Sequence, residues 1–188
     1  MLSGRRLDLL DPSPFDVEIE DIAHGLARVA RWNGQTIGEN AFSVAQHSVV
    51  VEDLCRALKP GISDQDCLTA LLHDGSEYVI GDMISPFKSA LGDHYRKFED
   101  RLERAIHIRF GLPAVMPPAL KKLIKQADHI SAWHEAVKLA GFSAIEANQI
   151  FGEPEVELSV KLDPMPPVKA QEAFLRRFQE LQNASKQA

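Results

Sequence analysis

Apolar residues recur at helical spacing along most of the chain. In one segment, Val44, Val51, Leu54 and Leu58 fall on one face of a helix, and Ser43 precedes it as an N-cap. Similar patterns, most of them bounded by serine, glycine or proline, predict seven helices. They are a helix starting near Asp21, then 44–58, 64–79, 88–110, 118–140 (with a break near Asp128 as the alternative), 143–151 and 168–183.

Two short stretches alternate between apolar and polar residues instead. Residues 15–19 and 156–162 show this period of two, which is typical of strands, and together they predict one two-stranded ribbon. Ser85-Pro86 predicts a non-helical loop before the fourth helix. The fold class is therefore all-α, with at most that ribbon. We expect residues 1–20 to be an N-terminal extension packed on a single domain that covers 21–188.

Composition narrows the class of protein. The 188 residues carry a net charge of −6, which argues against binding to nucleic-acid polymers or to anionic membranes. No apolar run reaches the roughly 18 residues that a membrane-spanning helix needs. Cys55 and Cys67 lie in apolar helical segments, which favours buried free thiols and a cytoplasmic location.

Several common catalytic motifs are absent from the sequence. The glycine spacings exclude the dinucleotide-binding GxGxxG loop and the P-loop, and no GxSxG esterase motif occurs. His134-Glu135 opens an HExxH template, but Lys138 stands where the second histidine should be. The chain therefore lacks the signatures of dinucleotide enzymes, P-loop NTPases, serine esterases and zinc peptidases.

The dipeptide His73-Asp74 carries the first candidate chemistry. It follows the apolar run Ala70-Leu71-Leu72, and a carboxylate beside an imidazole is costly to bury unless both have a partner. A divalent cation would be such a partner. On the predicted helix Glu77 shares a face with this pair, and Asp82 follows five residues later. Carboxylates crowded in this way also favour a bound cation.

Two further residues are candidate ligands for the same ion. His47 lies in the predicted helix 44–58, and Asp128 lies in the apolar-faced helix that begins near 118. Two imidazoles and two carboxylates form a mixed nitrogen and oxygen set, which suits Mn²⁺, Fe²⁺, Co²⁺ or Zn²⁺ better than Ca²⁺. Spacing along the chain does not establish that the four side chains converge.

The sequence resembles the HD-domain metal-dependent phosphohydrolases, an all-helical superfamily whose signature is H…HD…D. Within it the chain is most similar to the bacterial 5′-deoxynucleotidases, which remove phosphate from deoxyribonucleoside 5′-monophosphates. The similarity spans residues 31–128. The family lacks the extension 1–20, the segment between Trp32 and His47 differs from it, and the C-terminal third shows no matching motif. The matching pieces are Arg31-Trp32, Val44-Ala45-Gln46-His47-Ser48, His73-Asp74-Gly75-Ser76-Glu77, Gly81-Asp82, Ser85-Pro86-Phe87-Lys88 and Lys125-Gln126-Ala127-Asp128.

This resemblance implies a fold, a cofactor and a set of roles. The fold would be an HD-domain helical bundle, with one divalent transition metal held by His47, His73, Asp74 and Asp128. Glu77 would orient or deprotonate the attacking water, and Asp82 would protonate the leaving oxygen or contact the sugar. Arg31 would bind the phosphate and Trp32 would wall the sugar pocket. The implied partner is a small phosphorylated substrate, a (deoxy)nucleoside 5′-monophosphate, and a homodimer is common in the family.

Two other functions stay open at the level of sequence. One is a phosphodiesterase or a hydrolase of a signalling nucleotide on the same scaffold. The other is a metal- or nucleotide-binding module that has lost turnover, against which Glu77 and Asp82 argue. The remaining histidines are interpreted as structural or solvated residues. They are His24, His94, His107, His129 and His134.

Overall fold

The computed structural model describes residues 1–156 and 162–186, and in these the fold is all-α, as predicted. The described residues form eight α-helices. They are α1 (Ile19–Leu26), α2 (Val44–Leu58), α3 (Asp64–Leu71), α4 (Glu77–Ile80), α5 (Ser85–Arg109), α6 (Pro118–Lys138), α7 (Ala144–Phe151) and α8 (Pro167–Ser185). Short 3-10 helices lie at Pro14–Asp16 and Arg31–Gly34.

Helix α2 lies at the centre of the bundle. It packs against α3, α6 and α8, and α8 also packs against α1 and α3. Val51 and Leu54 of α2 are buried, as the apolar stripe predicts, and Ser43 caps the helix by accepting from the backbone N–H of Gln46. The side chains that α2 carries are therefore positioned relative to several other elements.

The predicted helix 64–79 is two helices in the structure. α3 ends at Leu71, a tight turn covers 72–76, and α4 begins at Glu77. The backbone N–H of Gly75 donates to the carbonyl of Leu72 at 2.8 Å, and a Cβ at Gly75 would lie 2.9 Å from that oxygen. The expectation that His73, Asp74 and Glu77 share one helical face is thus wrong, because the pair His73-Asp74 lies on the turn.

Helix α5 begins earlier than predicted, and it is bent. Pro86 lies in its first turn, where the missing N–H has no helical partner to lose, so the predicted loop at Ser85-Pro86 is wrong. Gly92 has φ of 70° and interrupts the helical geometry. Beyond this bend Leu102 and Ile106 are buried in the core. By contrast α6 continues through Asp128 without the break that was the alternative.

The predicted ribbon is not formed by residues 15–19. Pro14–Asp16 is a 3-10 helix and α1 starts at Ile19, while most of the second stretch, 157–161, lies outside the described residues. A single antiparallel β-bridge, between Ala30 and Ser43, is present in the described part of the chain. It joins the segment before the 3-10 turn 31–34 to the start of α2.

The N-terminal residues contact the helical bundle at several points. The hydroxyl of Ser3 donates to Asp21 at 2.5 Å, and Arg5 pairs with Glu18 at 3.0 Å. Arg109 of α5 pairs with the same Glu18 at 2.9 Å. The division into an extension at 1–20 and a domain at 21–188 stays a prediction. The Ser3–Asp21 and Arg109–Glu18 contacts join the two parts, whereas the Arg5–Glu18 pair lies within the first.

Candidate metal centre

The structure brings together the four predicted metal ligands from three elements. Nε2 of His47, on α2, lies 3.5 Å from Oδ2 of Asp74 and 3.2 Å from Oδ1 of Asp128, on α6. Nε2 of His73 lies 3.1 Å from Oδ2 of Asp74, on the turn after α3. Ligand atoms of His47, His73 and Asp128 lie within 4.8 Å of one another. Residues 81 positions apart in sequence therefore face one small volume.

The donor set at this point fits a divalent cation. Nε2 of His47 and Nε2 of His73 are buried, and neither has a hydrogen-bond partner. A buried polar atom without a partner is rare and destabilising, and a metal ion would satisfy both nitrogens together. Burial disfavours the charged carboxylate of Asp74, but His73, His47 and Arg31 outweigh it and hold its pKa below the usual range.

Hydrogen bonds on the far side of each imidazole orient these nitrogens. Nδ1 of His73 donates to the backbone carbonyl of Ala70 at 2.9 Å, and Nδ1 of His47 donates to Oε1 of Glu135 at 2.6 Å. Metal-binding histidines usually donate their second N–H to a carbonyl or a carboxylate in this manner. Burial and Arg31 lower the pKa of His47, but the Glu135 and Asp128 carboxylates raise it to about 10.

Arg31 and Trp32 reach this region from the 3-10 turn 31–34. Trp32 and Asn33 both have positive φ, 56° and 51°, which strains non-glycine residues by about 1–3 kcal/mol each. The Ala30–Ser43 bridge holds the turn on one side. The indole of Trp32 also packs against Phe142, with ring centroids 5.6 Å apart. Strained backbone held by surrounding contacts is common at functional sites.

The guanidinium of Arg31 links two carboxylates near the cluster. Nη1 donates to Oδ2 of Asp82 at 3.2 Å, and Nε donates to Oε2 of Glu135 at 3.1 Å. The side chains of Arg31 and Asp82 are 13% and 15% exposed, so both are more buried than the proposed ligands Asp74 and Asp128, at 21% and 36%. A cation and a carboxylate are therefore available beside the four candidate ligands.

Glu77 is buried at the start of α4 and contacts Lys88 of α5. The ammonium of Lys88 lies 3.4 Å from Oε1 of Glu77, and Oε2 of Glu77 is buried without a hydrogen-bond partner. Burial, followed by the negative charges of Asp74 and Asp82, raises the pKa of Glu77 to about 9. Glu77 is therefore mostly protonated at neutral pH, and it can accept a proton only where nearby positive charge, such as that of Lys88, lowers its pKa.

Sequence reasoning missed two residues that take part in this arrangement. Glu135 is fully buried and contacts His47, Arg31 and Trp32. It lies seven residues after Asp128, two helical turns along α6, so the spacing places both on one face of the helix but does not indicate what Glu135 contacts. Lys88 was part of the matching sequence but received no role, because its place in Ser85-Pro86-Phe87-Lys88 does not indicate a contact with a buried glutamate.

The other histidines do not form a second cluster of this kind. In the parts of the chain that the structure describes, His47, His73 and Asp128 are the one group of three whose ligand atoms converge. Nδ1 of His107 bonds to the carbonyl of Pro113 at 3.0 Å. Nε2 of His134 lies 3.4 Å from the carbonyl of Val156. The geometry therefore favours one metal position.

The chain is similar to one protein family and to two individual proteins over most of its length. The family model described as 5′-deoxynucleotidase YfbR-like matches residues 21–180. An uncharacterized protein of Rhodobacter capsulatus is 57% identical over 185 residues, which are 96% of this chain and 93% of that protein. The uncharacterized protein YfdR of Escherichia coli is 31% identical over 171 residues, 91% of this chain and 88% of that protein.

The family match covers every candidate site residue from Arg31 to Asp128, and Glu135 as well. It implies hydrolase activity of the HD type, while the names of the two relatives do not state a substrate. Among the described residues no helix is both long enough and apolar enough to cross a membrane. The chain belongs to the YfbR-like 5′-deoxynucleotidase family of HD-domain proteins.

Proposed function

We propose that this protein is a metal-dependent phosphomonoesterase that hydrolyses (deoxy)nucleoside 5′-monophosphates. The observation that carries the proposal is the convergence of two buried, unpartnered imidazole nitrogens with the carboxylates of Asp74 and Asp128. Glu77, Asp82 and Arg31 lie around this cluster. The proposed general acid or base, Glu77 or Asp82, and the proposed phosphate-binding guanidinium of Arg31 therefore lie beside the proposed metal position.

The proposed ligands are His47, His73, Asp74 and Asp128, and they fit Mn²⁺, Fe²⁺, Co²⁺ or Zn²⁺. When bound, such a cation stabilises negative charge on a phosphate and lowers the pKa of a coordinated water to about 7. The two carboxylates and one divalent cation sum to zero charge, and neutral imidazoles add none. Beside them, Arg31 and Lys88 supply positive charge next to the further carboxyl groups of Asp82, Glu135 and Glu77.

In the proposed reaction Glu77 accepts a proton from the attacking water or orients that water toward phosphorus. Lys88 contacts Glu77 and favours its ionised form, which is the form that accepts a proton. Arg31 uses Nε and Nη1 on Glu135 and Asp82, so its Nη2 is the group we assign to the phosphate. Asp82 contacts the sugar or protonates the leaving 5′ oxygen.

Trp32 is the residue we assign to the wall of the sugar pocket. Its indole ring contacts Phe142 and lies 6.1 Å from Phe151, centroid to centroid, so one side of the ring is already supported by aromatic residues. The Nε1 group donates to Glu135 at 2.9 Å. The ring is thereby fixed in position relative to Arg31, which precedes it. A homodimer and a cytoplasmic location stay predictions.

A panel of phosphate esters tests the proposed function. Purified protein is assayed with Mn²⁺, Co²⁺, Zn²⁺ and Mg²⁺ against deoxyribonucleoside and ribonucleoside 5′-monophosphates, 3′-monophosphates, and a phosphodiester. We expect turnover of 5′-monophosphates that is abolished by a chelator and by Asp128→Ala. Turnover of the diester alone would instead support a phosphodiesterase, and binding of nucleotide without any turnover would support a silent module.

A further inference from the structure

Glu135 is a carboxylate whose four hydrogen bonds connect both halves of the site. Its Oε1 accepts from Nδ1 of His47 at 2.6 Å and from the hydroxyl of Ser131 at 2.7 Å. Its Oε2 accepts from Nε of Arg31 at 3.1 Å and from Nε1 of Trp32 at 2.9 Å. One oxygen thus faces the candidate metal ligand, and the other faces the two candidate substrate residues.

The carboxylate is inaccessible to solvent, so these four donors define its surroundings. The Glu135 side chain is 0% exposed, as is that of His47. An ionised carboxylate has about four acceptor sites, and here each oxygen serves two donors. The donors come from α2, from α6 itself and from the strained turn 31–34. A change at Glu135 therefore reaches three separate elements.

We propose that Glu135 is a positioning residue that couples the metal-binding imidazole of His47 to Arg31 and Trp32. The substrate half of this inference rests on the proposed function, whereas the metal half does not. The neutral imidazole that binds a cation through Nε2 must keep its proton on Nδ1. Oε1 of Glu135 accepts that proton, and Oε2 holds the residues that would bind the phosphate and the sugar.

The hydrogen-bond donors on the two sides of Glu135 differ in whether they can also accept a hydrogen bond. The guanidinium of Arg31 and the indole N–H of Trp32 can only donate hydrogen bonds, whereas imidazole nitrogens and the serine hydroxyl can also accept. In Glu135→Gln the amide oxygen should therefore stay toward Arg31 and Trp32, and the NH₂ group should turn toward His47. Nδ1 of His47 must then accept, which leaves the remaining ring proton on Nε2.

A proton on Nε2 of His47 occupies the position from which this nitrogen would bind a metal. Glu135→Gln should therefore weaken Mn²⁺ binding by about 10–100-fold, the usual effect of losing the hydrogen-bond partner of a ligand. Glu135→Asp is one methylene shorter but still presents acceptors alone, so it keeps the required tautomer. We expect the order of Mn²⁺ affinity to be wild type, then Glu135→Asp, then Glu135→Gln.

A purely structural role would produce the opposite order of the two variants. Glutamine has the shape of glutamate and leaves no cavity, whereas aspartate leaves a gap in the buried site. Filling of space therefore predicts that Glu135→Gln resembles the wild type more closely than Glu135→Asp does. The ranking of the two variants distinguishes positioning through hydrogen bonds from packing.

Glu52 provides a matched control on the same helix as His47. It is 0% exposed and forms ion pairs with Arg56 and Arg177, so Glu52→Gln also removes a buried, paired carboxylate. Its partners lie on α2 and α8 rather than at the site. We expect Glu52→Gln to lower thermal stability but to leave the dissociation constant of Mn²⁺ unchanged.

The experiment measures Mn²⁺ binding by titration calorimetry for the wild type and the three variants, with circular dichroism to verify folding. KM for a deoxynucleoside 5′-monophosphate is then measured at saturating Mn²⁺. The proposal expects Glu135→Gln to weaken metal binding and, because Arg31 loses one of its two charged partners, to raise KM even when metal is saturating. Mn²⁺ affinity equal to the wild type in folded Glu135→Gln overturns it.

Two further outcomes are also decisive. If Glu135→Gln does not fold, Glu135→Asp must still change both Mn²⁺ affinity and KM, and wild-type values in Glu135→Asp overturn the proposal. If the wild type hydrolyses no monoester, the proposed function fails, yet the ranking of Mn²⁺ affinities still tests the contact between Glu135 and His47. Failure of one inference is thus separable from failure of the other.

Discussion

The ammonium of Lys88 lies between two carboxylates, 3.4 Å from Oε1 of Glu77 and 3.1 Å from Oε1 of Glu99. Lys88 and Glu99 belong to the same helix and would be about 16 Å apart along a straight one. The bend at Gly92, where φ is 70°, allows their side chains to meet. The surroundings of Glu77 on α4 are therefore determined in part by a bend in α5.

Removal of the positive charge of Lys88 should shift the pH dependence of kcat/KM to higher pH. Glu77 accepts a proton only when it is ionised, and Lys88 lowers its pKa against the effects of burial, Asp74 and Asp82. Lys88→Met should raise that pKa, so the limb of kcat/KM that rises with pH should shift to higher pH. The measurement is kcat/KM as a function of pH for the wild type and Lys88→Met.

Lys88→Arg is the matched control, because it keeps the positive charge beside Glu77. In the pH profile of kcat/KM, the rising limb of Lys88→Arg should be shifted less from that of the wild type than the rising limb of Lys88→Met is. A limb that stays in place in Lys88→Met would show that Glu77 is not the group whose ionisation limits the rate.

Substitutions at Asp128 and at Glu77 should affect metal binding and turnover differently. Asp128→Ala removes a proposed ligand and should abolish both Mn²⁺ binding and hydrolysis. Glu77→Gln leaves the four proposed ligands intact, so it should bind Mn²⁺ but lower kcat by about 10²–10⁴-fold, the usual contribution of a general acid or base. Calorimetry measures the first property and steady-state kinetics the second. Full activity of Glu77→Gln on every ester would remove Glu77 from the mechanism.

Gly25 on α1 should resist replacement by alanine, although alanine favours helices. A Cβ at position 25 would lie 2.7 Å from Cβ of Tyr78 and 2.8 Å from the carbonyl oxygen of Tyr78, on α4. Gly25→Ala should therefore lower the free energy of unfolding by about 1–3 kcal/mol through overpacking. In an unconstrained helix the same change would raise it by about 0.5–1 kcal/mol.

The sign of the stability change in Gly25→Ala, measured by urea unfolding, decides between these two effects. Because Tyr78 follows Glu77 directly, a displaced α4 should also reduce the activity of the folded variant. An increase in stability would mean that α1 and α4 are less closely packed than the structure has them.

Acid should weaken the attachment of the N-terminal residues to the bundle. Arg109 and Arg5 lower the pKa of Glu18 below its ordinary value of 4.5. A carboxylate whose folded pKa is depressed stabilises the fold above its unfolded pKa, and the contribution is lost as pH falls through the folded pKa. At neutral pH, Glu18→Gln should lower the free energy of unfolding by less than about 1 kcal/mol, since these exposed pairs are screened.

The difference in free energy of unfolding between the wild type and Glu18→Gln should shrink as the pH is lowered below 4.5. It should also shrink in high salt. Urea unfolding at neutral and acidic pH measures it. A difference that stays constant across this range would mean that the effect of the substitution does not arise from the charge of Glu18.

Much of the fold could be predicted from local sequence, because helical periodicity and capping act within a few residues. Ser43 caps α2 and the apolar stripe of that helix is buried, as predicted. The errors fall where long-range packing overrides local preference. The segment 64–79 breaks at the turn 72–76, where Gly75 closes tightly on Leu72. The alternation at 15–19 does not become a strand, since Ile19 joins α1.

The candidate ligands His47, His73, Asp74 and Asp128 were identifiable in the sequence by residue type and by resemblance, because few side chains can bind a transition metal. Their convergence required the tertiary structure, since it depends on how α2, α6 and the turn after α3 pack together. Glu135 emerged from the structure alone. Its position between His47 and Arg31 arises from the packing of a helix against a strained turn, and neither spacing nor composition encodes that contact.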